Sequence, residues 1–137
     1  MSQLNQMESN ETRLLPTEIV AGVLATLRNQ GGRESIPTRK AEIHRAFYEM
    51  HKQGLSLVSD FRFDTSGTFP YSPTLEQATN NLATCLLLER NNPKLNLYLL
   101  TDKLETYFES EVKRHVPDAQ FDEMKAIAKQ VQSALSN

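Results

Sequence analysis

The sequence predicts a mainly α-helical domain with one small β-hairpin. Apolar residues recur at steps of three and four in several segments, which is the spacing of amphipathic helices. The hairpin is predicted from the turn signal at residues 91–93, followed by a segment in which Leu95, Leu97 and Leu99 occupy alternate positions. With 137 residues, of which 39% are apolar and 23% charged, the chain has the length and composition of one globular domain.

The first helix is predicted to follow a polar N-terminal segment. Residues 1–13 show no apolar periodicity and are predicted to be a flexible tail, so the domain is expected to cover residues 14–137. Pro16 suits the first position of a helix, and apolar residues then follow at helical spacing. Gly31 and Gly32 are expected to end this helix.

The second helix is predicted over residues 38–53, after a very short strand around Ile36, and is stopped by Gly54. Residues 55–71 are dense in turn formers and are predicted to be an extended or irregular connection. Aromatic side chains are costly to leave in water, so those of the connection are expected to pack partly over the core. They are Phe61, Phe63, Phe69 and Tyr71.

The start of the third helix is marked by Ser72, a good N-cap, and Pro73, a good first helical residue. Its apolar face is predicted to consist of Leu75, Ala78, Leu82 and Leu86. Its opposite face is neutral and hydrogen-bonding, and comprises Gln77, Asn80, Asn81 and Thr84. The hairpin is expected to follow directly, over residues 86–100.

Two further helices are predicted as a C-terminal extension over residues 101–137. Asp102 and Glu105 have capping-box spacing, and Pro117 separates the two helices. The last helix has one apolar side, which must be covered by the first helix of the same chain, by a second copy, or by another protein. The residues of this candidate partner interface are Phe121, Met124, Ile127, Val131 and Leu135.

Residues 17–100 resemble the winged helix-turn-helix family. SPTLEQATNNLATCLLLER stands in the place of the recognition helix and first wing strand, and NNPKLNLYLLT in the place of the wing tip and second strand. The resemblance implies a winged-helix-like core of three helices and a wing, whose third helix enters the DNA major groove. A shorter segment, FPYSPTLEQATNNLATCLLLE, is similar to SocA-like (Panacea) antitoxin and phage-associated proteins.

The net charge of -2 does not indicate a nucleic-acid partner, but residues 28–62 hold seven Lys or Arg against four acids. These side chains are interpreted as solvated charges on exposed helix faces, as phosphate contacts, or as contacts with a protein partner. With the resemblance, they predict a transcription-regulator-like DNA-binding protein with double-stranded DNA as its partner. The candidate DNA contacts are Arg39, Lys40, Arg45, Gln77, Asn80, Asn81, Thr84, Arg90 and Lys94.

The alternative is a protein interaction module, such as an antitoxin or an assembly subunit, with the same fold. It is favoured because the segment from Pro73 to Cys85 has no Lys or Arg, whereas a groove-reading helix commonly uses them for phosphate or guanine. A homodimer or a complex with another protein subunit is expected under either hypothesis.

No catalytic or metal-binding constellation is found in the sequence, so neither an enzyme activity nor a cofactor is predicted. His44 and His51 are seven residues apart, which is not a zinc-ligand spacing, and they are interpreted as solvent-exposed or half-packed side chains. Asp60 and Asp64 flank Arg62 without a nucleophile or phosphate loop beside them in sequence.

Cys85 is the only cysteine, which excludes an internal disulfide and favours a reducing compartment. It is predicted to be a small hydrophobic residue of the core. The sequence contains no signal-peptide pattern and no apolar run long enough to cross a bilayer. A cytoplasmic protein without a membrane partner is therefore predicted.

Overall fold

The computed structural model describes residues 14–38, 41–90 and 96–136, so the predicted tail lies outside the described residues. The helices in these ranges are α1 (Pro16–Asn29), α2 (Ala41–Lys52), α3 (Pro73–Thr84), α4 (Asp102–Tyr107) and α5 (Asp118–Ser136). The strands are β1 (Ser35–Pro37), β2 (Leu88–Glu89) and β3 (Leu97–Leu100). The prediction of a mainly helical chain with a small β-hairpin is confirmed.

The strands form an antiparallel sheet in the order β1, β3, β2. β3 is central: Tyr98 lies opposite Ile36 of β1, and Leu100 lies opposite Leu88 of β2. The strand expected around Ile36 therefore attaches the hairpin to the segment between α1 and α2. The predicted turn, residues 91–93, lies outside the described residues.

The first and third helices begin where the sequence predicts. Pro16 is the first residue of α1, and the Glu18 carboxylate accepts a hydrogen bond of 2.8 Å from the backbone N–H of Leu15. At α3, the Ser72 hydroxyl accepts a hydrogen bond of 3.1 Å from the backbone N–H of Leu75. Each contact satisfies a donor that the first helical turn leaves without a partner.

The predicted cap of α4 is wrong by one residue. Thr101, not Asp102, is the N-cap, and its hydroxyl accepts from the backbone N–H of Leu104 at 3.2 Å. Beyond α4 the chain continues through a π-helical turn and a 3₁₀ turn that ends at His115. α5 begins immediately after Pro117, so the predicted interruption is confirmed.

The apolar side of α5 is covered by α1 and α2 of the same chain. Met124, Ile127 and Val131 are each 0% exposed, so the prediction that they form a partner interface is wrong. Gly22 of α1 makes this close packing possible, because a Cβ atom there would lie 2.5 Å from the Met124 sulfur. The other two predicted interface residues, Phe121 and Leu135, are half-buried against the same core.

The connection over residues 55–71 contains an element that the sequence analysis missed. A 3₁₀ turn covers Ser56–Val58. The Glu123 carboxylate of α5 holds it by accepting hydrogen bonds from the Ser56 hydroxyl at 3.0 Å and from the Leu57 backbone N–H at 2.9 Å. Phe61 is buried and Phe63 is half-buried, which confirms that these aromatic side chains pack over the core.

Candidate nucleic-acid interface

Helix α3 lies antiparallel to α1. Near its C-terminal end, the Asn81 amide donates a hydrogen bond of 3.1 Å to the Thr17 hydroxyl, in the first turn of α1. Near its N-terminal end, Leu75 lines a small cavity together with Val20 and Leu24, further along α1. The C-terminal end of α3 is therefore beside the N-terminal end of α1.

The hydrogen-bonding face of α3 is exposed, as its residue pattern predicts. Gln77, Asn80, Asn81 and Thr84 are all exposed. The Gln77 amide donates to the Asn81 side-chain oxygen at 2.9 Å, so these two side chains and Thr17 form a short chain of hydrogen bonds. Asn and Gln amides present a donor and an acceptor side by side, which is the geometry that pairs with an adenine edge.

The N-terminal end of α3 is held by His44, which is 2% exposed. The backbone N–H of Ser72 donates to His44 Nδ1 at 2.9 Å, so this nitrogen carries no proton. The imidazole stacks on Tyr71 with 5.0 Å between ring centroids and 6° between ring planes. His44 thus joins α2, the aromatic connection and the first residue before α3.

The second histidine of α2 also has a structural contact. His51 Nδ1 lies 2.8 Å from the backbone oxygen of Val58, which makes this nitrogen the donor. His51 is half-buried, as expected, but His44 is buried, so the expectation that it is solvent-exposed or half-packed is wrong, because its ring accepts from Ser72 and stacks on Tyr71. Among the described residues, no group of three or more His, Cys, Asp or Glu could hold a metal ion.

Asp64 orders the turn at the end of the connection. Its backbone exchanges two hydrogen bonds with Tyr71, of 2.7 and 2.9 Å, which closes the intervening loop. Hydrogen bonds from the Ser66 hydroxyl and from the Ser66 backbone N–H lower the pKa of the Asp64 carboxyl. The Asp64 carboxylate therefore has a structural role, which is to accept hydrogen bonds within the local turn.

The C-terminal end of α3 differs from the prediction. The helix ends at Thr84, and the chain turns through Leu86 with a positive φ of 62°. The backbone N–H of Leu87 donates to the Leu82 oxygen at 2.9 Å, and that of Leu86 donates to the Ala83 oxygen at 3.0 Å. These two bonds define a Schellman motif, whose left-handed position is usually glycine.

This turn places two predicted core residues on the surface. Leu86 is 61% exposed rather than on the apolar face of α3, and Cys85 is exposed rather than in the core. The Leu86 prediction was wrong because it extended the helical periodicity past Thr84. The Cys85 prediction was wrong because it relied on the apolar neighbours of Cys85 in sequence. A sequence signal for a helix end at Thr84 would have corrected both predictions. No glycine or proline next to Thr84 gives such a signal.

The predicted basic residues are described only in part. Arg39, Lys40 and Lys94 lie outside the described residues. Arg45 is exposed on α2. Arg90 is exposed directly after β2, with its guanidinium carbon 5.6 Å from the centroid of the Tyr98 ring.

Two arginines of the basic stretch are used inside the fold. Arg28 pairs with Asp102 at 2.6 Å and also pairs with Glu105, which joins the end of α1 to α4. Arg33 Nε donates to the Gln132 side-chain oxygen of α5 at 2.8 Å. The local excess of positive charge in the sequence therefore overstates what the surface offers to a partner.

Comparisons with protein-family models, with curated proteins and with solved structures find no match for this chain. Within the part of the chain that the structure describes, no helix is both long and apolar enough to cross a membrane.

Proposed function

We propose that this chain is a winged-helix protein that binds duplex DNA in the manner of a small transcription regulator. The observation that carries the proposal is the order of the sheet, with β1 paired to β3 and β3 paired to β2. This pairing supports the proposal because it ties the hairpin to the segment between α1 and α2. β2 also contacts α3, so the hairpin and the candidate reading helix are neighbours.

Under this proposal α3 reads base edges and the basic side chains contact phosphates. Each well-formed pairing of an Asn or Gln amide with adenine contributes about 1–3 kcal/mol of discrimination. α3 has no Lys or Arg, so phosphate contacts must come from residues before and within α2 and from the wing. The candidates are Arg39, Lys40, Arg45, Arg90 and Lys94.

The test is a salt titration of binding to a fluorescent duplex of mixed sequence. Five phosphate contacts would give a slope of about -4 to -5 in a plot of log affinity against log salt. Replacing Arg39 and Lys40 by Ala is expected to weaken binding on every sequence and to reduce the slope by about 2. The matched control replaces Lys103 and Lys129, which are exposed on α4 and α5, and removes the same charge.

Base reading is tested separately with Asn80→Ala, which removes an exposed amide of α3. It is expected to change the preferred sequence while leaving the salt slope unchanged, because it removes no cation. Failure of the unmodified chain to bind any duplex at low salt would reject the proposal. An equal loss of affinity in the control double variant would reject the assigned phosphate contacts.

A protein interaction module is the second candidate function. The observation that favours it is the chemistry of α3, which lacks cations and whose Gln77 and Asn81 amides already bond each other and Thr17. A protein partner needs no phosphate contacts. The expected outcome is a stable complex in light scattering together with salt-independent failure to bind DNA, whereas a monomer that binds DNA would contradict this function.

A further inference from the structure

A cavity of about 300 Å³ lies between the C-terminal end of α1 and the middle of α5. Its α5 wall is one stripe of the helix surface, because the lining residues lie three and four positions apart. They are Lys125, Ala128, Lys129 and Gln132. Thr26 and Leu27 form part of the α1 wall, and we call this space the α1–α5 cavity. Pockets that bind small molecules begin at about 300 Å³.

Part of the wall of the α1–α5 cavity is apolar. Leu27 and Ala128 are both buried, and both line the cavity. Their side chains border space that α1 and α5 leave unfilled, so an apolar group bound there would remove apolar surface from water, which is favourable. The cavity therefore has a place for the apolar part of a ligand.

The charged residues that line the cavity, among those that the structure describes, are two lysines one turn apart. Lys125 lies over the Phe121 ring, with Nζ 4.7 Å from the ring centroid, and pairs with Asp122 at 3.8 Å. Lys129 is exposed and has no ion-pair partner in the described residues. An unpaired ammonium group beside a cavity attracts an anion. Lys129 is therefore the principal cation of the cavity.

Two uncharged side chains add hydrogen-bond donors to the wall. The Gln132 side-chain oxygen accepts from Arg33 Nε at 2.8 Å, so the amide N–H groups of Gln132 remain donors for another acceptor. Thr26, which is buried, adds a hydroxyl. Arg33, held against Gln132, places a third cation beside the cavity. A negatively charged oxygen, which accepts several hydrogen bonds, suits this set of donors.

The negative charge at the C-terminal end of α1 is reduced at this position. The last carbonyl oxygens of a helix carry partial negative charge, which disfavours an anion. Here the Thr26 oxygen accepts from the backbone N–H of Gln30 at 2.8 Å, and the Leu27 oxygen accepts from that of Gly31 at 3.0 Å. Since these carbonyl groups are already bonded, the lysines set the sign of the charge at the cavity.

We propose that the α1–α5 cavity binds a small organic anion, a carboxylate on a compact aliphatic body. The carboxylate accepts from Lys129 and from the Gln132 amide, and the aliphatic part packs on Leu27 and Ala128. A single negative charge matches the one unpaired lysine better than a phosphate group, whose charge is about -2. The inference goes beyond DNA binding and does not depend on it, because the described residues of the cavity include none of the candidate DNA contacts.

The test follows backbone amide shifts by NMR while pentanoate, 1-pentanol or pentylamine is added to the full chain. The three probes share one aliphatic body and differ in charge. Pentanoate is expected to bind and to shift the amides of residues 26–31 and 125–132. 1-Pentanol is expected to bind about tenfold more weakly, because it lacks the charge, and the cationic pentylamine more weakly still. Pentanoate binding no tighter than that of 1-pentanol, or shifts confined to other parts of the chain, overturns the proposal.

The assigned cation is tested by Lys129→Met, which keeps an unbranched side chain and removes the charge. Pentanoate affinity is expected to fall about tenfold, whereas 1-pentanol affinity is expected to stay the same. The matched control, Lys103→Met, removes an equal charge from an exposed position of α4. Weaker pentanoate binding only in Lys129→Met supports the proposal, and an equal change in both variants, or in neither, overturns it. Both substitutions are at exposed helical positions, so circular dichroism is expected to show folded variants.

Acetate and inorganic phosphate test the class of ligand. Acetate keeps the carboxylate but lacks the aliphatic body, and is expected to bind roughly tenfold more weakly than pentanoate. Acetate binding as tightly as pentanoate would reject the apolar contact, and tighter binding of phosphate would assign the lysines to a phosphate ligand; either result overturns the proposed class. DNA affinity is expected to be unchanged in Lys129→Met, so failure of this site and failure of the DNA-binding proposal are separate results.

Discussion

The two ends of α3 are built in opposite ways. At the N-terminal end Ser72 is 0% exposed, its hydroxyl caps the helix, and its backbone N–H is bonded to the buried His44. At the C-terminal end Cys85 and Leu86 are exposed, and Leu86 holds a conformation that suits glycine. The N-terminal end combines local and tertiary contacts that favour folding. At the C-terminal end the left-handed backbone of Leu86 costs free energy, and the exposed side chain does not offset it by burial.

This difference separates structural polar groups from candidate functional ones. A buried histidine is a common starting point for a functional hypothesis. His44 instead has structural contacts, a hydrogen bond from the Ser72 backbone N–H and ring stacking on Tyr71. In the sequence, nothing distinguishes Leu86 from the other leucines beside it. Its exposure and its φ angle make it the less explained of the two. The following predictions test this contrast.

The largest expected effect is at His44. His44→Ala removes a buried ring and leaves the Ser72 N–H without its acceptor, which is expected to lower the free energy of unfolding by about 3 kcal/mol. Urea denaturation followed by circular dichroism measures it. His51→Ala, at a half-buried position, is the matched control and should lose less. A loss below about 1 kcal/mol at His44 would show that this end is not specially stabilised.

A smaller loss is expected at the helix cap itself. Ser72→Ala keeps the backbone N–H that bonds to His44 but removes the hydroxyl that accepts from Leu75. The free energy of unfolding is expected to fall by about 1 kcal/mol, again measured in urea. Thr74→Ala, in the first turn of the same helix, should change it less. Equal losses in the two variants would argue against a capping role.

A gain in stability of about 1 kcal/mol is expected for Leu86→Gly, because glycine adopts the positive φ without strain. Leu86→Ala is the control, since it shortens the side chain but keeps a Cβ at the strained position. It should show no comparable gain in the urea midpoint. If Leu86→Gly were destabilising, Leu86 would have a packing role and the contrast between the two ends would fail.

The smallest effect is the pH dependence at Tyr107. Its pKa is raised in the folded chain by burial and by Glu18, Cys85 and Glu111, so the neutral phenol is favoured by folding. The corresponding stability is present below about pH 10, the usual pKa of tyrosine, and is lost as pH rises through the folded value. Tyr107→Phe should remove this alkaline loss. Absorbance titration of the phenol, compared with this variant, measures the raised pKa directly.

Local signals were sufficient for several elements of the fold. Pro16 and Ser72 mark the starts of α1 and α3 because capping depends on residues adjacent in sequence. The hairpin follows from alternating leucines after a turn signal. At α4 both Thr101 and Asp102 are residue types that cap helices, so the sequence does not distinguish between them. In the structure Thr101 is the N-cap.

The candidate site was predicted less completely. Exposure of Gln77, Asn80 and Asn81 followed from the helical spacing of the apolar residues of α3. The internal use of Arg28 was not predictable, because its partners Asp102 and Glu105 are remote in sequence. Charge counted along the chain therefore gave the position of a basic stretch but not the part of it available to a partner.

The sequence by itself determined the helices, their apolar sides and the paired strands, since these depend on residue spacing and local capping. Only the tertiary structure decided what covers each apolar side. α5 has its apolar residues at helical spacing whether a partner or its own chain covers them, and packing against α1 at Gly22 assigned them to the core. Leu86 lies outside the core for a separate reason: α3 ends at Thr84 and the chain turns at Leu86, although Leu82 and Leu86 keep helical spacing in the sequence.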